Sequence, residues 1–307
     1  MSKDIQNKIP KNIFNAPILI RLAMWIGKAF SRKAGRGLAK MIGSIVGSFK
    51  NSAMVRAIRA NQFVIHQEKL GPDALNQLPK EVFRSSAMCI FDYFHYLTRP
   101  EALMDVVHFS PEAESAFERI QQDQPTVIVC PHLSNFDLMG YALALKGIRV
   151  QVLSFPNPNT SYKVQNELRE STGMLITPMD LNAFRMARKR LKSGGSILTG
   201  LDRPLSAGQL EKYQPKFFGH PANLPVAYVR MALEANAPVY VMAAASQPDN
   251  TYSLLCSNPF WMQPANDLEA EILTNAESVL QEAEKMITEH YRQWAMFYPI
   301  WPAYLGV

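Results

Sequence analysis

The stretch Val127-Ile128-Val129-Cys130-Pro131-His132-Leu133-Ser134-Asn135-Phe136-Asp137 decides how this chain is read. Residues 126–130 form a short, unbroken run rich in β-branched side chains, the pattern of a strand buried on both faces. Pro131 cannot donate to a ladder and ends the strand. His132 then falls in the turn at the strand's carboxyl end, where α/β sheets carry their ligand chemistry. A helix is predicted over residues 135–146, with Asp137 in its first turn. Were both residues helical, His132 and Asp137 would point about 140° apart. The spacing makes sense only if His132 lies before the helix and folds back over its N-terminus. There a carboxylate can accept from Nδ1–H and leave Nε2 as a base.

Outward from this turn, short strand patterns alternate with helical ones. Further strands are predicted at 149–153, 174–177, 196–201, 216–218, 239–245 and 252–256. Helices are predicted at 80–97, 111–122, 181–192 and 267–294, and a polar loop at 156–160. The alternation implies an α/β fold, a single domain with a central mixed β-sheet flanked by helices. Hydrophobic residues make up 48% of the 307 and charged residues 19%, enough for a real core and against disorder. Three widely spaced cysteines, Cys89, Cys130 and Cys256, argue against a disulfide framework or a Cys-based zinc site.

The N-terminus is the unusual part. Residues 1–60 hold twelve Lys/Arg and one acid, Asp4, a balance of +11, whereas the remainder carries −5. No uninterrupted apolar run approaches the roughly 20 residues of a spanning helix, and Arg21 and Lys28 interrupt the only signal-peptide candidate. Wound as a helix, Ile18, Leu19, Leu22, Ile26, Ala29 and Phe30 share one broad face, bordered by Arg21, Lys28 and Arg32, with Trp25 at the edge. That pattern fits a helix lying in an anionic membrane surface, set against an ordinary helix packed on the domain. Residues 1–60 are therefore read as basic, amphipathic, membrane-associating helices and 61–307 as the α/β domain.

A second block completes the picture. Ser196-Ile197-Leu198-Thr199-Gly200-Leu201 runs into Asp202-Arg203-Pro204-Leu205-Ser206-Ala207-Gly208, and Phe217-Phe218-Gly219-His220 follows. If this strand neighbours 126–130, Asp202 reaches the same sheet edge as His132. Together with these blocks, His132 and Asp137 resemble the His-x4-Asp motif of the glycerolipid and lipid A acyltransferase superfamily. The stretch from Leu198 to Ala243 looks most like bacterial phosphatidylinositol mannoside acyltransferases and their lauroyl (lipid A) relatives. In that group an acid-Arg-x-Leu-Ser-x-x-Gly block precedes Phe-Phe-Gly. The Glu-Gly-Thr-Arg block of glycerol-3-phosphate and lysophosphatidate acyltransferases is missing, and Asp202-Arg203 stands in its place. The resemblance runs from about residue 40 onward and is weak before it, where many relatives carry a membrane helix.

The resemblance implies that His132 is the general base that deprotonates an acceptor hydroxyl, which then attacks an acyl thioester. An acid at the position of Asp202, often Glu in the mannoside enzymes, pairs with that His. Asp137 is either the orienting partner or a residue behind it, and the sequence leaves both open. Arg169, in Asn166-Glu167-Leu168-Arg169, matches an Arg used on acidic head groups, and Arg203 has the same reading; a guanidinium suits a phosphate through paired hydrogen bonds. Backbone N–H groups near Leu133 or Gly219 are candidates for the oxyanion. The expected partners are acyl-CoA or acyl carrier protein as donor, a lipid hydroxyl as acceptor and an anionic membrane surface on the cytoplasmic face. No metal, resident cofactor or nucleic acid is expected. The rival readings are a lipid-ester hydrolase, although no Gly-x-Ser-x-Gly elbow is present, a metal phosphoesterase using His132 and Asp137, and a non-catalytic lipid- or nucleic-acid-binding protein. Cys130 and the aromatic-rich segment 291–304 are read as packing residues, and His220, which could approach the site, as an ordinary loop histidine.

Overall fold

A computed structural model describes residues 17–155, 160–205 and 212–307. Helices come first: α1 (Pro17–Ala29), α2 (Arg32–Val46), α3 (Ala53–Ile65), α4 (Pro72–Tyr96) and the short α5 (Pro100–Met104). Strands and helices then alternate through β1 (Val107–Phe109), α6 (Pro111–Gln121), β2 (Thr126–Cys130), α7 (Phe136–Leu145) and β3 (Val150–Ser154). They continue through α8 (Thr160–Ser171), β4 (Leu175–Pro178), α9 (Leu181–Lys192) and β5 (Ser196–Gly200). A small hairpin, β6 (Lys216–Phe217) with β7 (His220–Pro221), precedes α10 (Ala227–Ala235), β8 (Val239–Ser246), β9 (Tyr252–Cys256) and α11 (Leu268–Glu289).

The seven-stranded sheet has the order β1-β9-β8-β2-β5-β3-β4. Every neighbouring pair is parallel except β8–β9, so the sheet is mixed, as the sequence pattern predicts. Alternation along β2 feeds two cores. Val127 and Val129 pack with Ala187 and Leu191 of α9, Val229 of α10 and Val279 of α11 on one face. Ile128 packs with Tyr93 of α4, Phe117 of α6 and Leu138 of α7 on the other. Both faces of β2 are covered, which is why its sequence is continuously apolar.

The differences from the predicted elements are local. Residues 216–217 pair in the separate hairpin, not in the main sheet. β1 spans three residues and carries too short a pattern to read. α4 begins at Pro72 and runs through Pro79, eight residues earlier than the predicted start. The last predicted helix stops at Glu289, and residues 291–293 tighten into a 3-10 turn that brings the chain back to the sheet edge. Of the loop expected at 156–160, Thr160 opens α8, while residues 156–159 and the Ser206–Gly208 part of the acid-Arg block lie outside the described residues.

The first two helices dock on α4 through small residues. Gly35, Ala39 and Gly43 form the buried stripe of α2. A Cβ on Gly35 would overlap the Phe91 ring, and one on Gly43 would come within 2.4 Å of the Phe83 carbonyl oxygen. Close backbone approach therefore replaces large side chains at this seam. The large apolar residues face outward instead: Ile18, Leu22 and Trp25 on α1, with Met41, Ile42 and Ile45 on α2, are exposed. The side chains of Leu19 and Arg21 lie outside the description. Arg32, expected to be a free border cation, turns inward to the buried Asp92 at 3.1 Å, where Arg36 and the Tyr252 hydroxyl also bind. Residue 60, the expected boundary, falls inside α3, whose buried Asn61 and Gln62 bond to the backbone of Met296, Tyr298 and Tyr291. Among the described residues no helix is long and apolar enough to cross a membrane.

Candidate active site

β2 and β5 are adjacent and parallel, with Cys130 opposite Gly200. His132 and Asp202 each lie two positions beyond that pair, so the register alone delivers them to neighbouring places at the carboxyl edge of the sheet. His132 precedes α7: Pro131 ends the strand, and the helix starts only after Asn135, whose side chain caps it by accepting from the Leu138 N–H. Ser134 takes a left-handed backbone conformation, φ 49°, which folds the turn back over the helix start.

The imidazole meets Asp202, not Asp137. Nδ1 lies 2.6 Å from Asp202 Oδ1. Oδ2 accepts the His132 main-chain N–H at 2.9 Å and the Trp294 indole N–H at 2.8 Å. An ionised carboxylate only accepts, so the proton belongs on Nδ1 and the lone pair on Nε2. No hydrogen bond from Nε2 to a described residue is present, and the imidazole is partly exposed, while Asp202 is fully buried. Gly200 makes room for the ring: a Cβ there would stand 3.1 Å from His132 Cε1. Phe136, itself exposed, packs edge-on against the imidazole at 5.4 Å between centroids and gives the site an apolar rim.

Asp137 has a different partner. Its carboxylate accepts from Arg169 Nε at 2.7 Å and from Gln165 at 3.2 Å. Arg169 also donates to Asn166 and lies over the Tyr162 ring, and its guanidinium is buried. The pair ties α8 to the first turn of α7. Arg203, next to Asp202, is partly exposed and sandwiched between Phe155 at 4.2 Å and Tyr298 at 4.4 Å from the ring centroids. No carboxylate among the described residues pairs with it. The structure thus brings His132, Asp202 and Arg203 to one edge and makes Asp137 and Arg169 a second, adjoining pair.

Residues 293–295 were not singled out for the site, yet they complete it. The Ser134 N–H donates to the Gln293 carbonyl at 2.9 Å, the Ala295 N–H donates to the His132 carbonyl at 2.8 Å, and Leu133 bridges Trp294. Of the proposed oxyanion donors, the Leu133 N–H is already spent on the Pro131 carbonyl at 2.7 Å. Burial, then the Asp202 charge, pushes the Cys130 thiol up to about 12, which fits a packing residue and not a nucleophile. His220 contacts Tyr304, Trp301 and Glu68 on the hairpin side. The candidate cluster contains no described group of three or more His, Cys, Asp or Glu residues arranged for a metal ion.

Residues 5–302 match the family described as bacterial lipid A biosynthesis acyltransferase. Phosphatidylinositol mannoside acyltransferases from Mycobacterium tuberculosis strains ATCC 25618 / H37Rv and CDC 1551 / Oshkosh are similar to the chain, each 24% identical over 185 residues. The similarity takes in 59% of this chain and 55% of each relative, so it spans about half the length of those curated relatives. With the family match covering nearly all of its residues, the chain belongs to the bacterial lipid A biosynthesis acyltransferases.

Proposed function

We propose that this protein transfers a fatty acyl chain from acyl-CoA or an acyl carrier protein to a hydroxyl of a membrane glycolipid or lysophospholipid, with His132 as general base. The observation that carries the reading is the buried Asp202 carboxylate on His132 Nδ1 at 2.6 Å, which leaves Nε2 to take a proton. The acceptor hydroxyl gives its proton to Nε2 as its oxygen attacks the thioester carbonyl. The C–S bond breaks, and the departing thiolate recovers the proton from the imidazolium. An ester and a thiol result, with every proton and electron pair accounted for by the thioester, the hydroxyl and His132. Asp202 orients the ring and stabilises the imidazolium.

Arg203 is the cation we assign to an anionic head group or donor phosphate, since two aromatic faces hold it in place without a described carboxylate partner. Arg169 would serve the acceptor from behind, through Asp137 and the start of α7. The exposed apolar face of α1 and α2, beside the +11 of residues 1–60, supports peripheral attachment to an anionic leaflet over nucleic-acid binding.

His132→Ala should lower transfer by about 10²–10⁴-fold without loss of folding, because the imidazole is partly exposed. The assay follows thiol release from a long-chain acyl-CoA in the presence of bacterial membrane lipid, with ester and free fatty acid separated. Activity within threefold of the parent removes His132 as base. Free fatty acid in place of ester selects the hydrolase.

A further inference from the structure

We propose that Trp294 is a positioning residue for the acyl-transfer step, fixing the rotation of the Asp202 carboxylate through its indole N–H. The inference rests on the reading of His132 as base. Asp202 Oδ2 receives two donors, the indole at 2.8 Å and the His132 main-chain N–H at 2.9 Å, and this turns Oδ1 towards Nδ1. Without the indole, Oδ2 keeps only a donor from the very turn it is meant to steady. The carboxylate can then rotate, and the imidazole loses its fixed tautomer and direction.

Trp294 is well suited to this task. It is 1% exposed, packed near Phe217 and Phe218, and its backbone bridges Leu133. The neighbouring Gln293 side chain both donates to and accepts from the backbone of Ser246 at the end of β8, so the segment is anchored to the sheet. An indole N–H donates and never accepts, so it favours the carboxylate in its ionised form. Phenylalanine would fill much of the same aromatic pocket; the N–H is what a packing role leaves unexplained.

Trp294→Phe keeps an aromatic ring and removes the donor. We expect kcat to fall about 10–100-fold, the range for a hydrogen bond to a charged group, with KM nearly unchanged. The acid limb of the kcat–pH profile should shift as well. In an Asp202→Asn background the same substitution should cost less than about twofold, because the two act as a unit. Replacing Trp294 by benzothienylalanine, which puts sulfur where the N–H stood in an otherwise similar bicyclic ring, must reproduce the loss even if the Phe variant folds poorly. A benzothienyl protein with parental kcat and pH profile, while His132→Ala and Asp202→Asn both lower kcat at least tenfold, overturns this inference and leaves the proposed function intact. Multiplicative losses for Trp294→Phe and Asp202→Asn overturn it too. If His132→Ala retains activity, the base assignment falls and the role of Trp294 falls with it.

Discussion

Replacing Met41, Ile45 and Phe49 together by serine tests whether the outward face near the end of α2 is a lipid-binding surface. These side chains are 56%, 54% and 61% exposed, so somewhat more than half of each apolar surface is still available for burial. Full burial of such a side chain is worth about 1.5–3 kcal/mol, so each can contribute about 1–2 kcal/mol on entering a bilayer interface. The three together amount to about 3–5 kcal/mol, or a partition onto vesicles about 10²–10⁴-fold weaker. The fold should hardly notice, because the seam with α4 is made by Gly35, Ala39 and Gly43 on the other side of the helix. Flotation with vesicles rich in anionic phospholipid measures the first quantity and thermal unfolding the second. At higher salt the binding of both proteins should weaken, while the gap between them persists, since insertion and charge attraction are separate contributions. A triple variant that partitions within threefold of the parent refutes the argument. So does one that loses many degrees of thermal stability, because the residues would then belong to the core.

Gly200→Ala should reduce kcat about tenfold with little change in melting temperature, because its Cβ at 3.1 Å from His132 Cε1 displaces the ring by a few tenths of an ångström; parental kcat would show that the ring has room to spare. Glu284, under the Phe218 N–H, has its carboxyl raised above the ordinary glutamate value, by burial first and by Glu277 in addition. The stability tied to its protonation is complete below the ordinary value and is lost as pH rises through the raised one. Glu284→Gln should therefore melt higher than the parent near pH 8 and match it near pH 4, and a difference that does not vary with pH counts against this.

The strand–turn–helix at 126–137 was legible because local signals coincide: a short apolar run rich in β-branched residues, the proline that ends it and the helical pattern that follows. Asp202 was legible once β5 was recognised, since parallel neighbours carry equal offsets to the same edge. What stayed hidden depends on contacts with no local pattern. Asp137 and Asp202 were equally reasonable partners for His132 until Arg169 was seen to occupy Asp137. Trp294 lies 92 residues from the carboxylate it binds, inside a stretch whose helical periodicity masks the 3-10 turn. The inward turn of Arg32 was equally unreadable, because its partner Asp92 sits 60 residues away on a helix whose own pattern is apolar.

The strap formed by residues 293–295 has a consequence for the timing of activity during synthesis. The His-x4-Asp turn is translated about 160 residues before the residues that bond to it become available. At roughly 5–20 residues per second, that leaves an interval of about ten to thirty seconds. A nascent or prematurely terminated chain holds the entire motif and both acids but lacks the Gln293, Trp294 and Ala295 groups that bond to the turn and to Asp202. Completion of the site therefore waits for the last part of the chain, which supplies both the strap and, through Val279, Leu280 and Ile287, much of the core beneath β2.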